Sequence, residues 1–128
     1  MKVNKIHHIA IICSNYEKSK DFYVNKLGFN IVNETYRQAR DSYKLDLEVN
    51  GVYQIELFSF PYTPERPSRP ESCGLRHLSF EVNNIEDAVK ELNEKDIVTE
   101  PIRIDEITGK KFTFFQDPDR LPLEIYEK

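Results

Sequence analysis

The sequence predicts an α+β fold built from two copies of one βαβββ module. Three observations carry this: an internal repeat, helix signals at equivalent places in both copies, and runs of strand pattern after each helix. HIAIICSNYEKSKDFYVNKLGF (8–29) matches HLSFEVNNIEDAVKELNEKDI (77–97) at a shift of 69 residues (77 − 8 = 69). In each copy a histidine opens an apolar strand, and a polar step then leads into a helix. The first helix is expected to start at Ser14, with Glu17 three residues later as a capping box, and to end at Leu27-Gly28. The second is expected to start at Asn83, three residues before Glu86. Its Ile85, Ala88, Val89 and Leu92 follow the i, i+3, i+4, i+7 spacing of a helix packed on one face.

After the first helix come FNIVNETY (29–36), KLDLEV (44–49) and VYQIELFSF (52–60), with Asn50-Gly51 as a strong hairpin signal between the last two. After the second come IVTEPIRI (97–104), KKFTFFQ (110–116) and LPLEIYE (121–127), divided by Thr108-Gly109 and the turn-rich DPDR. The modules therefore span 5–58 and 75–127 of a single domain, 1–128. Between them lies FPYTPERPSRPESCG (60–74), whose four prolines exclude regular structure and mark residues 59–74 as either a loop near the site or a passive linker.

At 128 residues the chain is long enough to bury a core without staples. The net charge of −4 comes from 18 basic and 22 acidic residues mixed along the sequence, which leaves no basic footprint for nucleic acid or an anionic membrane. The short apolar run near the N-terminus is interrupted by histidines and reads as a strand, not a signal or a span, so a cytoplasmic protein is expected. Cys13 and Cys73 have no CxxC spacing and fit free thiols in a reducing compartment, Cys13 packed and Cys73 in a loop.

The repeat also selects the chemistry. YQIELF and LPLEIY close the two modules, so Glu56 and Glu124 are equivalent, 48 and 47 residues after His8 and His77 (56 − 8 = 48; 124 − 77 = 47). A histidine on the first strand and a glutamate on the last therefore recur together in a chain with only three histidines. Strand alternation sets His8 opposite the helix side taken by Ile9, Ile11 and Cys13, and His77 opposite Leu78, Phe80 and Val82. Glu56 and Glu124 are each flanked by apolar residues that point the other way. Two imidazoles and two carboxylates turned inward require a counter-charge, which a divalent cation supplies. Taken singly, each of the four reads as a satisfied or solvent-facing polar residue; taken as a repeated pair, they read as a metal site. His7 aligns with Arg76 in the repeat and is assigned outside it.

HHIAI, KSKDFYVNKLGF, YQIELF, LRHLSFEV and DPDRLPLEIYE together resemble the vicinal oxygen chelate superfamily of glyoxalase, bleomycin-resistance and extradiol-dioxygenase proteins, along essentially the whole chain. The order His, Glu, His, Glu is similar to that of small bacterial glyoxalase I-like proteins. The resemblance implies a curved, half-open barrel-like sheet with one divalent ion held by His8, Glu56, His77 and Glu124. Nickel or zinc is the implied ion, with cobalt, manganese and iron suited to the same donors. It further implies a homodimer and a lyase or isomerase that acts on a small molecule by proton transfer through a metal-bound enediolate, with Glu124 as base and Glu56 as second candidate. An acyl-thioester epimerase, a thiol transferase and a non-catalytic small-molecule or drug binder are the alternatives. Among Arg37, Arg40, Arg66, Arg69 and Arg76, which offer forks for a substrate anion, Arg37 and Arg76 lie beside strands expected to line the cavity. The usual glycine of the DPDG turn is Arg120 here.

Overall fold

A computed structural model describes residues 1–128. The chain divides into two units, Met1–Pro64 and Glu65–Lys128, each an α+β module with one four-stranded sheet. In the first, β1 (Ile9–Cys13), β2 (Asn30–Arg37), β3 (Ser42–Val49) and β4 (Val52–Ser59) lie in the order β1-β4-β3-β2. In the second, β5 (Leu78–Val82), β6 (Arg103–Ile104), β7 (Lys111–Gln116) and β8 (Pro122–Glu127) lie in the order β5-β8-β7-β6. The opening strand of each module runs parallel to its closing strand, and the remaining pairs are antiparallel. This pairing places the histidine that precedes β1 or β5 at the edge of the strand that carries the glutamate.

Helix α1 (Tyr16–Lys20) continues as a π-helical turn, Asp21–Lys26, and ends with Leu27 N–H on the Phe22 carbonyl and Gly28 at φ +79°, a left-handed stop that glycine takes without Cβ strain. Helix α2 spans Ile85–Glu94. Both helix starts fall one residue later than the capping-box reading placed them. Asn15 accepts from Lys18 N–H at 3.0 Å and Asn84 from Asp87 N–H at 2.9 Å, and the two caps are themselves 69 residues apart (84 − 15 = 69). An Asx side chain satisfies an orphan N–H without a glutamate at the third helical position, so the reciprocal half of the box is not needed.

The other correction is β6. IVTEPIRI forms only two ladder residues, because Pro101 has no N–H to donate and the segment before it is held by single bonds, Glu100 N–H to the Phe114 carbonyl at 2.8 Å and Thr113 Oγ1 to the Glu100 carbonyl at 2.7 Å. The Asn50-Gly51 hairpin forms as expected, with φ of +50° and +77° at its two central residues.

Alternation divides each sheet into two faces. In the first module Leu45, Leu47, Ile55 and Leu57 are buried with Tyr23 and Cys13. Lys44, Asp46, Glu56 and Phe58 share the opposite face, in the register Lys44↔Phe58 and Asp46↔Glu56. In the second module Leu123, Ile125, Thr113 and Phe115 are buried with Ile85 of α2, while Phe112, Phe114, Glu124 and Tyr126 share the other face.

Candidate metal centre

Each module brings one imidazole and one carboxylate together. His8 Nε2 lies 3.6 Å from Glu56 Oε2, and His77 Nε2 lies 3.4 Å from Glu124 Oε2. Both glutamates are buried, 7% and 9% exposed, although they sit on the sheet face opposite the leucine core. No third His, Cys, Asp or Glu joins either pair to make a metal-holding group. The N···O separations exceed the roughly 2.7–3.2 Å of a good hydrogen bond. They suit two donors on one ion, because bonds of about 2.0–2.2 Å to nitrogen and oxygen hold adjacent donors roughly 3 to 3.6 Å apart. Each pair therefore has the spacing of two donors that fit one divalent ion.

The two carboxylates differ in what else holds them. Glu56 accepts from the Tyr53 hydroxyl and stands 3.1 Å from Lys44 Nζ, which also donates to Asp46 at 2.5 Å. Burial alone would raise the Glu56 pKa, but the bonds from Tyr53 and Lys44 outweigh it and bring the group below the usual glutamate value. Tyr53 is pushed up to about 12, by burial first and by its bond to Glu56 second. Burial would lower Lys44, yet its bonds to Asp46 and Glu56 raise it. Glu124 has His77 as its ion-pair partner and no lysine or tyrosine of this kind.

The imidazoles differ as well. His8 Nδ1 is 2.8 Å from His7 Nδ1, so one of the two nitrogens carries the shared proton, and the His7 ring stands edge-on to Tyr53. His7, assigned outside the ligand set, thus buttresses His8 in the manner of a residue that fixes a ligand's tautomer. His77 is wedged edge-on against Phe114, with ring centroids 5.1 Å apart, and its Nδ1 is buried with no hydrogen-bond partner.

Of the two arginines expected near substrate, Arg37 lies on the Glu56 face. Its guanidinium stands 4.9 Å above the Phe58 ring and 5.7 Å from Phe60, donates to Ser42 Oγ at 2.6 Å, and keeps a buried Nε with no partner. Arg76 is exposed and paired with Glu71 at 2.6 Å. Sequence reasoning missed Lys44, Tyr53 and Arg103. A signal existed for Lys44, since the alternation in KLDL puts Lys44 and Asp46 on the face that carries Glu56. In the second module a concavity of about 400 Å³ is lined by Glu124, Tyr126, Phe112 and Arg103 among others.

Comparison with known proteins agrees with this architecture. A relative named Uncharacterized protein YwkD from Bacillus subtilis (strain 168) is 66% identical over 128 residues, all of both chains. Another, Uncharacterized protein YaeR from Escherichia coli (strain K12), is 58% identical over 126 residues, 98% of each. The crystal structure of a glyoxalase family protein from Enterococcus faecalis superposes with a TM-score of 0.90 at 51% identity, covering 96% of this chain and 97% of that one. Residues 5–125 match the family model of the Glyoxalase/Bleomycin resistance protein/Dioxygenase superfamily, and the chain belongs to that superfamily.

Proposed function

We propose that the chain is a divalent-metal-dependent lyase or isomerase of the glyoxalase I type, in which His8, Glu56, His77 and Glu124 hold one nickel or zinc ion. The observation that carries this reading is the recurrence of a buried glutamate 3.4–3.6 Å from an imidazole at the same place in both modules. When bound, the ion supplies Lewis-acid polarisation of two adjacent substrate oxygens and offsets the negative charge that develops as a proton leaves carbon. Glu124 is the group that takes this proton and returns it to the neighbouring carbon, because it lacks the Tyr53 and Lys44 bonds that commit Glu56 to its ionised form. Glu56 is the second candidate, and it carries the proton only after Lys44 releases it. Arg37, preset over two aromatic rings, offers its fork to a substrate anion, while Arg76 reaches one only by leaving Glu71.

The working form is a homodimer in the cytoplasm that binds a small molecule. Free cysteines at 13 and 73 suit a reducing compartment, and no helix is long and apolar enough to cross a membrane. The test is turnover by metal-loaded protein. Isomerisation of methylglyoxal hemithioacetals to 2-hydroxyacyl thioesters is expected. Epimerisation of acyl thioesters without that activity would move the reaction to the epimerase alternative, and ligand binding with no turnover of either would move it to a binding protein.

A further inference from the structure

The arrangement of Arg37 over two phenylalanines has a counterpart in the other module. The Arg103 guanidinium stands 4.9 Å from the Phe112 ring centroid and 5.7 Å from Phe114, the separations found for Arg37 over Phe58 and Phe60. Arg103 pairs with Phe112 across β6 and β7, and Phe114 pairs with Glu124 across β7 and β8, so the arginine, its rings and the glutamate occupy one face. The likeness is one of geometry and not of repeat position, because 37 + 69 falls on Glu106, and Arg37 stacks on Phe58 of β4 whereas Arg103 stacks on Phe112 and Phe114 of β7.

Arg103 is the one cation lining the concavity of about 400 Å³ that also contains Glu124. Stacking leaves the edge of a guanidinium, with its N–H fork, free to meet a planar anion. Its present partner is Glu100 at 3.0 Å, an i,i+3 pair in which both side chains are about half exposed (53% and 52%); such a pair is weak and readily exchanged. One of the acidic lining groups is already committed: Asp105 accepts from Ile107 N–H, Thr108 N–H and the Tyr126 hydroxyl. The rest of the wall is the carboxylates of Glu106 and Glu124 together with Ile104, Ile107, Phe112 and Tyr126, whose apolar surfaces can hold the body of a ligand.

We propose that Arg103 anchors a carboxylate of the substrate, whose apolar or aromatic body lies over Phe112 and Tyr126 with its reacting end toward Glu124. The role of the anchor rests on the reading of Glu124 as a site residue; the carboxylate preference itself does not.

Phenylacetate, phenylacetamide and phenethylamine titrated into the full-length protein by NMR, first in EDTA and then with one equivalent of zinc, test this. In EDTA, phenylacetate is expected to bind about tenfold tighter than the amide. Arg103→Gln should bring the two within about twofold, and Arg103→Lys should keep part of the preference, as a point charge does. Equal binding of acid and amide, tightest binding of the amine, absence of saturable phenylacetate binding, or an unchanged preference in Arg103→Gln would each overturn the proposal. Zinc stoichiometry on the same samples separates the two claims. Arg103→Gln should retain zinc, whereas failure of the unmodified protein to bind zinc removes the metal reading and leaves the EDTA result standing.

Discussion

At the scale of single residues, the informative contrast is between Glu56 and Glu124. Lys44 sits where a cation is needed beside a buried carboxylate, and it stands in part for the charge that an ion would bring. Replacing Lys44 by Met should destabilise the metal-free protein by about 1–3 kcal/mol, since a buried acceptor loses its partner. Added zinc should recover part of that loss in a denaturant titration. Away from the centre, Glu34 is held below the ordinary glutamate value of about 4.3 by Lys20 first and Tyr16 second. A lowered folded pKa adds stability that is fully present above the unfolded value and is lost as pH falls through the folded one. Glu34→Gln should therefore be less stable than the parent at neutral pH, and the difference should begin to shrink below the unfolded value of about 4.3 and vanish once the pH has fallen through the lower folded value. Urea melts at several pH values read this directly; a gap that widened in acid would contradict the assignment.

At the scale of elements, the caps decide between two readings of the same residues. Asn84→Ala should cost about 0.5–2 kcal/mol by removing the bond to Asp87 N–H, whereas Asn83→Ala should stay within about 0.5 kcal/mol. Thermal unfolding of the two variants settles the register of α2. The turn before β8 offers a second test: Arg120 takes φ +64°, a left-handed conformation that strains a side chain with a Cβ. Asp117 fixes the turn by accepting from Asp119 N–H and Leu121 N–H, both at 2.9 Å, and the Arg120 side chain adds only an exposed pair with Glu65. Arg120→Gly should raise stability by about 1 kcal/mol.

These elements also show what a sequence conveys. Period-2 alternation in YQIELF and LPLEIY, the repeat offset, and the Asn50-Gly51 turn are local signals, and they set Glu56 and Glu124 on the faces opposite the buried leucines, while His8 and His77 stand just before β1 and β5. The two-residue β6 was not legible, because an apolar, β-branched run says nothing about which ladder partners a proline removes. Tyr53 reaches Glu56 along its own strand, where strict alternation sets residues three apart on opposite faces, and the cross-strand partner of Arg103 depends on register instead of composition.

At the scale of the whole molecule, the proposed function requires the two histidine–glutamate pairs to serve one ion. Neither pair alone gives more than two donors, and no further acidic or imidazole side chain completes either one. A protein that holds its ion in the folded state only should gain stability by mass action, about 2.7 kcal/mol when free metal is 100 times its dissociation constant. Chelation should lower the melting temperature accordingly. The most direct measurement is metal stoichiometry and affinity, by elemental analysis and calorimetry, on the purified protein and on His8→Ala, Glu56→Gln, His77→Ala and Glu124→Gln. One nickel or zinc ion per chain is expected, with each of the four changes weakening binding by about tenfold or more while the circular dichroism spectrum is unchanged. Two ions per chain, no ion under metal-replete conditions, or full affinity in variants from either module would contradict it.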